Sequence, residues 1–400
     1  MIDGRLTSFE LFAGAGGLAL GAELAGFQSL GIVEWDKWAC ETVRDNRRNA
    51  HPLVSGWAVH EGDVRDFPWS SIEENVDLLA GGPPCQPFSL RGAARAHADN
   101  RDMFPAMISA VRALTPRAFI VENVKGLLRK QFSDYFRYIL LCLEFPERVA
   151  REGETWFDHL SRLAREKEKT NPSASELTYT VTSTLVNAAD YGVPQKRERV
   201  FIVGFRSDLE VSWSFPSPTH SRDALLYAQR RDGEYWSRHG LPSPSRCPEI
   251  EKPNGEMLPW RTVRDALSGL PEAKMSDTGE VFNHVLKPGA KIYPGHTGSA
   301  LDAPSKTLKA GVHGVPGGEN MLIDDEGRPR YCTVREAARI QTFPDGYRLN
   351  GAWSEAMRQL GNAAPVKLAQ VVASSVSEAL IESEMKRVSD DLRLAAQGAR

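Results

Sequence analysis

The sequence is poor in cysteine and has no long apolar run. Its 400 residues include five cysteines, none in a C-x-x-C pair, which is not the pattern of a disulfide framework or a zinc site. No apolar segment approaches the ~18 residues that span a bilayer, and the N-terminus lacks the basic start and apolar core of a signal peptide. We therefore expect a cytoplasmic protein with no membrane segment and no metal.

A basic excess is missing as well, which counts against nucleic-acid binding. The net charge is −3, whereas nucleic-acid-binding domains are often basic. Local charge matters more than the total, however, and lysine is concentrated late in the chain. Between 287 and 309 there are four lysines and a single acid, Asp302. The overall charge therefore does not exclude a polyanionic partner.

Short apolar segments alternate with helical patterns in the first third, which predicts an α/β fold. The predicted strands cover 8–12, 29–34, 76–80, 117–122 and, later, 198–204. Ligands of open α/β sheets bind at the carboxyl ends of the strands. Glu10, Glu34, Cys85 and Glu122 fall at or just beyond such ends, so we expect functional groups there.

Composition divides the rest of the chain. Residues 142–176 are densely charged and are predicted to form a solvated helical insert. From 207 to 330 Pro, Gly, Ser and Trp are frequent, which predicts a second, loop-rich domain. The predicted first domain covers 1–206, and a segment over 331–400 returns to it. The polar tail after Glu384 is expected to fray.

A glycine-rich turn follows the first predicted strand. Residues 14–19 (GAGGLA) fit G-x-G-x-x-G/A, and Glu34 lies 20 residues after Gly14, as in nucleoside-cofactor sites. The glycines let the backbone approach the ligand, and the acid accepts the ribose hydroxyls. S-adenosylmethionine needs the same acid and the same close approach. The motif therefore predicts a nucleoside cofactor and leaves a nicotinamide dinucleotide and S-adenosylmethionine both open.

A more specific pattern surrounds Cys85, within residues 81–89 (GGPPCQPFS). Prolines restrict the backbone on both sides of the cysteine, so the loop holds the thiol in place without a helix. Most lone cysteines are small core residues. The prolines and glycines make a core role unfavourable here, and a held thiol suggests a nucleophile.

Two further patterns indicate an acid and a pair of cations. Glu122 ends an apolar strand, and Arg197 and Arg199 alternate at the start of another, which places both arginines on one side of that strand. A carboxylate at a strand end is usually a cap or an ion-pair partner. Beside a reactive thiol it becomes a candidate acid, and the two guanidinium groups suggest an anionic substrate.

Taken together, these motifs resemble those of the DNA cytosine-5 methyltransferase family of bacterial restriction–modification type. The resemblance covers nearly the whole chain and rests on 9–17 (FELFAGAGG), 34–36 (EWD), 62–63 (GD), 82–89 (GPPCQPFS), 122–124 (ENV), 195–199 (QKRER), 335–339 (REAAR) and 361–363 (GNA). The resemblance depends on all of these motifs and on their order, and no single motif carries it. So many in the right order are very improbable by chance.

The resemblance implies a Rossmann-like S-adenosylmethionine-dependent methyltransferase domain with a mostly parallel sheet, and a smaller target-recognition domain. It implies that the cofactor is bound by Phe12, Gly14, Gly16, Gly17, Glu34, Trp35, Asp63, Pro83 and Asn362. In that assignment Glu34 holds the ribose, Trp35 packs on the adenine, and Asp63 accepts from the adenine amino group. The family often has Asp at the position of Glu10, which the resemblance places near the methionine end of the bound S-adenosylmethionine.

The resemblance also assigns the chemistry. Cys85 is the nucleophile that adds to carbon 6 of cytosine, Glu122 and Arg199 hold the base, and Arg197 sits close to it. The reacting atoms are out of reach inside a duplex, so the cytosine must be flipped out. The residues expected to contact the DNA are Gln86, Ser89, Arg91 and Thr307.

Double-stranded DNA is the expected partner of this enzyme, which we predict to be monomeric. A cognate restriction endonuclease acting on the same site is a possible companion. Two alternatives stay open, a tRNA cytosine-5 methyltransferase of the same fold and a non-catalytic DNA-binding regulator. A nicotinamide oxidoreductase would explain the glycine turn and Glu34, but it would leave Cys85, Glu122 and the 195–199 motif without a role.

Overall fold

The computed structural model describes residues 5–84, 102–169, 175–231, 233–243, 251, 255–310 and 319–398. The strands of its main sheet are β1 (Thr7–Leu11), β2 (Gln28–Glu34), β3 (Ala58–Glu61), β4 (Leu78–Gly81), β5 (Ala118–Val124), β6 (Tyr179–Asn187) and β7 (Glu198–Arg206). Their order across the sheet is β3-β2-β1-β4-β5-β7-β6. The first five pair in parallel, and β7 is antiparallel to both β5 and β6. The predicted α/β fold with a mostly parallel sheet is confirmed.

The five predicted strands are all present, with bounds within two residues of those predicted. The sequence did not reveal β3 and β6, which are the two edge strands of the sheet. β3 has four residues, none of them fully buried, and β6 has exposed or half-buried residues at all but two of its nine positions. An edge strand needs no continuous apolar run, because only one neighbour and one face bury it. Its sequence signal is correspondingly weak.

Helices cover both faces of the sheet. One face packs against α1 (Gly17–Leu24) and α11 (Val366–Gly398), and the other against α3 (Phe104–Leu114), α4 (Ser133–Glu144) and α5 (Trp156–Lys169). Helix α2 (Lys37–Arg48) follows β2. Successive strand residues point to opposite faces, so Leu78 and Ala80 join one core cluster while Leu79 joins the other. The central strands are therefore buried on both sides.

The predicted insert over 142–176 contains the end of α4 and the whole of α5. Helix α5 is not simply solvated, because Leu160 and Leu163 are buried in the same core cluster as the sheet. Its polar side is held by ion pairs such as Arg162 Nε with Glu154 Oε1, at 2.8 Å. The insert is thus an amphipathic helix docked on the main body of the protein.

Short elements dominate the described part of 207–330, as predicted. They are β8 (His220–Ser221), α6 (Arg222–Arg230), α7 (Glu234–Arg238), β9 (Leu258–Pro259), α8 (Val263–Leu267), β10 (Ser299–Ala300), β11 (Met321–Ile323) and β12 (Pro329–Tyr331). A small cluster of Leu225, Ala228 and Tyr235 forms a core apart from the sheet. The division of the chain into separate domains stays a prediction.

The C-terminal segment consists of α9 (Val334–Ile340), α10 (Trp353–Asn362) and α11. The structure continues α11 through the predicted polar tail to Gly398, and the fraying of that tail stays a prediction. The packed first half of α11 removes the cost of helix nucleation, and ion pairs such as Glu384–Arg387 support the exposed turns. In the described part of the chain, no helix is both long enough and apolar enough to cross a membrane.

Candidate active site

The predicted cofactor residues follow the carboxyl ends of four neighbouring strands. Phe12 and Gly14 follow β1, Glu34 and Trp35 stand at the end of β2, Asp63 follows β3, and Pro83 follows β4. Because β3, β2, β1 and β4 are adjacent and parallel, these ends share one edge of the sheet. The fold therefore gathers residues that are far apart in the chain at a single edge of the sheet.

The turn between β1 and α1 has an unusual backbone. Phe12, Gly14 and Gly16 all have positive φ, at 56°, 56° and 83°. A bulky residue in this conformation is uncommon, and such residues cluster at ligand sites. A Cβ atom on Gly17 would lie 2.4 Å from the carbonyl oxygen of Ala364, so only glycine fits where α1 begins. The turn can thus bring its backbone close to a ligand.

Glu34 is held rigidly at the end of β2. Its Oε2 accepts from the Gly14 amide at 2.8 Å, and its Oε1 accepts from the amides of Trp35 and Asp36 at 2.9 and 2.8 Å. Burial raises the pKa of Glu34, and the hydrogen bonds from the Asp36 and Gly14 amides oppose that rise. A carboxylate has about four acceptor positions, so one remains for a ligand hydroxyl. Glu34 also ties β2 directly to the glycine turn.

The other predicted cofactor residues are more accessible. Trp35 is 68% exposed although it adjoins the buried Glu34, and Asn362 is exposed at the end of α10. Asp63 caps a short 3-10 turn and accepts from Arg65 Nε at 3.0 Å, which lowers the pKa of Asp63. An exposed indole and an ionised carboxylate suit the face and the amino group of a purine. Their contacts with a cofactor stay predictions.

Glu10 is the most deeply buried acid at this edge of the sheet. It is 3% exposed, and its Oε2 has no hydrogen-bond partner among the described residues. Burial raises the pKa of Glu10 well above its ordinary value, and the nearby charges of Glu34 and Glu122 raise it further. Glu10 therefore favours its neutral form when no cation is near.

Glu122 and Arg199 form an ion pair across β5 and β7. Arg199 Nε lies 2.7 Å from Glu122 Oε1, and each side chain is 11% exposed. The structure thus brings together two residues that the sequence predicted to hold the substrate base. A Cβ atom built on Gly82 would lie 3.6 Å from Glu122 Oε2, so the second carboxyl oxygen faces the loop that leads to Cys85.

A buried asparagine connects β5 to that loop. Asn123 is 2% exposed, and its Nδ2 donates to the Pro83 carbonyl oxygen at 3.1 Å. Pro83 is two residues before Cys85, so the hydrogen bond anchors the start of the cysteine loop beside Glu122. Asn123 stands in the ENV motif, but its residue type and position in the sequence gave no sign of this anchoring contact. The predicted residues Cys85, Gln86, Ser89 and Arg91 lie outside the described residues.

Arg197 has a different environment from Arg199. It is fully buried, with Nη1 donating to the Leu308 carbonyl oxygen at 3.1 Å and Nη2 to those of Gly361 and Ala363 at 2.8 and 2.9 Å. These contacts are structural, and they do not support the expected shared role with Arg199. Direct contact of Arg197 with the reacting base stays a prediction.

Thr307 also makes a contact within the protein. Its hydroxyl donates to the Lys196 carbonyl oxygen at 2.6 Å, which joins the end of the 207–330 region to the residue before Arg197. A DNA contact from Thr307 stays a prediction. Two glutamines beside it, Gln195 and Gln341, are fully buried and hydrogen-bonded to each other. Sequence reasoning missed their role, since a polar residue in a motif gives no sign of burial.

Comparison with known proteins decides the family. The chain matches the C-5 cytosine-specific DNA methylase family over residues 6–145 and 160–378. It belongs to this family. It is 32% identical to the Type II methyltransferase M.PspPI of Psychrobacter sp. (strain TA137), over 92% of this chain and 78% of that protein. It is 33% identical to the Type II methyltransferase M.Eco47II of Escherichia coli, with the same coverage.

Solved structures resemble the fold of this C-5 cytosine-specific DNA methylase. A DNA modification methyltransferase encoded within an E. coli prophage superposes with a TM-score of 0.58 at 21% identity, covering 94% of this chain and 99% of that one. The S. pombe Dnmt2 methyltransferase gives 0.54 at 17% identity, with the same coverage. These likenesses confirm the predicted Rossmann-like methyltransferase fold.

The predicted enzyme class is confirmed as well: the protein is a DNA (cytosine-5-)-methyltransferase, related to enzymes of restriction–modification systems. The family match leaves out residues 146–159, within the predicted insert over 142–176. Residues 146–159 lie between the end of α4 and the family-matched part of α5, and the role of the insert stays a prediction.

Proposed function

We propose that this enzyme transfers a methyl group from S-adenosylmethionine to carbon 5 of a cytosine flipped out of a short specific site in duplex DNA. The transfer proceeds through a covalent bond between Cys85 and carbon 6. The observation that carries the proposal is the Glu122–Arg199 ion pair beside the start of the cysteine loop, with Nε and Oε1 at 2.7 Å. The Asn123–Pro83 hydrogen bond supports it, because it holds Pro83, two residues before Cys85, to the residue that follows Glu122.

The residues at the sheet edge fit S-adenosylmethionine. The left-handed turn at Gly14 and Gly16 lets the backbone approach, Glu34 offers a fixed carboxylate, and Trp35 offers an exposed aromatic face. Glu10 adds a buried carboxyl with an unpartnered oxygen, which suits a cofactor that carries positive charge. When bound, the cofactor supplies an electrophilic methyl group.

The protein's own residues then act on the base. The Cys85 thiolate adds to carbon 6, and the electron pair of the 5,6 double bond makes carbon 5 nucleophilic. The protonated Glu122 carboxyl donates its proton to N3 and so neutralises the negative charge that this addition leaves on the ring. Arg199 keeps the acid in place through the ion pair. Once carbon 5 carries the methyl group and S-adenosylhomocysteine is left, a water molecule takes the carbon 5 proton. The electron pair of that C–H bond re-forms the 5,6 double bond, and the bond from carbon 6 to sulfur breaks to return the Cys85 thiolate.

The partner is double-stranded DNA, and a restriction endonuclease acting on the same site is a candidate companion because the relatives are Type II methyltransferases. Base-resolution methylation sequencing of DNA from cells that express the protein tests the proposal. We expect 5-methylcytosine at one short motif, and none with Cys85→Ala. Cys142→Ala, at a buried thiol in α4, is the matched control.

Two outcomes would overturn the proposal. Full methylation by Cys85→Ala would remove the covalent mechanism. Methyl transfer to tRNA with none to duplex DNA would instead favour the alternative substrate.

A further inference from the structure

Three segments that are distant in the sequence meet at a buried polar network. They are residues 194–197 just before β7, residues 305–310 near the end of the predicted target-recognition region (the recognition segment), and residues 360–363 at the end of α10. The fully buried side chains at their junction are Gln195, Arg197, Ser305 and Gln341. Buried polar groups are costly unless they are hydrogen-bonded, so such a junction has a well-defined geometry.

Arg197 is the central donor of this network. One arm of its guanidinium binds the Leu308 carbonyl oxygen, and the other binds those of Gly361 and Ala363. The last two carbonyls belong to the C-terminal end of α10, where carbonyl groups lack intrahelical partners and the helix dipole favours a cation. The fork of the guanidinium lets Arg197 bind both segments at once, which a lysine ammonium cannot match.

The two glutamines make a parallel connection. Gln195 Oε1 accepts from the Leu308 amide at 3.0 Å, and Gln195 Nε2 donates to Gln341 Oε1 at 3.0 Å. Gln341 Nε2 in turn donates to the Leu360 and Ala363 carbonyl oxygens. Hydrogen bonds therefore run without a break from the recognition segment, through the residues just before β7, to the end of α10.

Backbone contacts close the junction. The Lys196 amide donates to the Ser305 carbonyl oxygen at 2.8 Å, and the Ser305 amide donates to that of Pro194 at 2.9 Å. A Cβ atom on Gly361 would lie 2.3 Å from the Ala310 amide nitrogen, so α10 packs directly on the recognition segment. A displacement of either segment must therefore move the other.

Each segment of the network contains or adjoins a residue with a different predicted function. Arg199, the partner of Glu122, is two residues after Arg197, and Asn362, a predicted cofactor residue, lies between Gly361 and Ala363. Thr307, a predicted DNA contact, precedes Leu308. We propose that Arg197 is a positioning residue that couples DNA binding to cofactor binding through these three segments. This inference rests on the proposed function, which requires both ligands in one site.

A matched control separates coupling from simple stabilisation. Arg335 is also fully buried and also donates to three carbonyl oxygens, those of Phe282, Pro344 and Tyr347. None of its partners belongs to the three segments of the network. Arg197→Lys and Arg335→Lys therefore each replace a buried guanidinium that donates to three carbonyl oxygens. Only Arg197→Lys should affect the coupling between DNA binding and cofactor binding.

The experiment measures binding of a labelled duplex that carries the site found by methylation mapping, with and without S-adenosylhomocysteine. For the wild-type enzyme we expect the cofactor product to tighten DNA binding by about tenfold, a common size for coupling between two sites. Arg197→Lys should reduce this ratio to within about twofold of unity, whereas Arg335→Lys should keep it. Gln341→Met removes only the hydrogen bonds of the Gln341 side chain and should give an intermediate ratio of DNA affinities. This second variant keeps the test decisive if Arg197→Lys does not fold.

Several results would overturn the coupling. A wild-type enzyme that methylates its site yet binds DNA equally with and without S-adenosylhomocysteine would exclude it and leave the proposed function intact. Equal loss of the ratio in Arg197→Lys and Arg335→Lys, both folded by circular dichroism, would reduce Arg197 to a structural residue. A wild-type enzyme that methylates no DNA would remove the proposed function and the coupling together.

Discussion

Arg199 Nε lies 2.7 Å from Glu122 Oε1 across the antiparallel pair of β5 and β7. The register sets Arg199 opposite Val124, so the guanidinium reaches diagonally back to the acid two residues earlier. The pair stands beside Gly82, at the start of the cysteine loop. Because both side chains are mostly buried, the carboxyl group is held in one place and can meet a flat substrate ring without reorganisation.

Glu122→Gln tests the acid directly. The amide keeps the shape of the carboxyl but cannot carry a proton to N3, so we expect kcat to fall by about 10²–10⁴-fold while DNA binding persists. Single-turnover methylation with labelled cofactor measures the effect. Glu176→Gln is the matched control, because Glu176 forms a similar ion pair with Arg148, at 2.6 Å, in the insert. A Glu122→Gln enzyme with wild-type kcat would contradict the role.

Trp35→Ala tests the predicted adenine contact. Trp35 is 68% exposed, so its removal should cost little folding stability. We expect cofactor affinity to fall by about tenfold, because an aromatic stacking contact contributes on the order of 1 kcal/mol beyond its buried area. Calorimetric titration with S-adenosylhomocysteine measures it. Trp38→Ala, three residues on in α2, is the control, and an equal loss there would refute a specific stack.

Gly17→Ala tests the close approach of α1 to the chain after α10. The new methyl group would lie 2.4 Å from the Ala364 carbonyl oxygen, a backbone atom that cannot rotate away. We expect a loss of about 1–3 kcal/mol in the free energy of unfolding, the usual cost of overpacking. Gly56→Ala serves as the control, since nothing lies within 4 Å of a Cβ atom there. Urea unfolding of both variants measures the difference in stability. Equal midpoints for Gly17→Ala and Gly56→Ala would contradict the close contact at Gly17.

Glu10→Gln should change how stability depends on pH. Burial raises the pKa of Glu10 above its ordinary value of 4.5, so the folded protein holds this proton more tightly than the unfolded chain does. The stabilising contribution is complete below 4.5 and is lost as pH rises through the raised pKa. Over that window wild-type stability should fall, relative to Glu10→Gln, by about 1.4 kcal/mol per pH unit.

Urea unfolding of both proteins across the acid to neutral range measures the difference. A stability gap between wild type and Glu10→Gln that stays constant with pH would show that Glu10 titrates normally in the folded state.

Local pattern revealed most of the fold and much of the site. The apolar runs of β4 and β5 identified central strands, because strands buried on both faces read as continuous apolar segments. The glycine turn and Glu34 were recognisable because their spacing follows from the geometry of one strand-turn-helix-strand unit. The edge strands β3 and β6 escaped notice, since their half-exposed positions resemble those of a loop.

The sequence by itself determined the family, the central strands and the groups that carry the chemistry, since each of these depends on short-range spacing. Only the tertiary structure decided that Arg197 and Arg199, two residues apart in the sequence, make different contacts. Arg199 turns to Glu122, whereas Arg197 binds carbonyl oxygens 111 to 166 residues away in sequence. No local sequence pattern specifies these distant carbonyl oxygens, because they reach the Arg197 guanidinium only after the long intervening loops have closed.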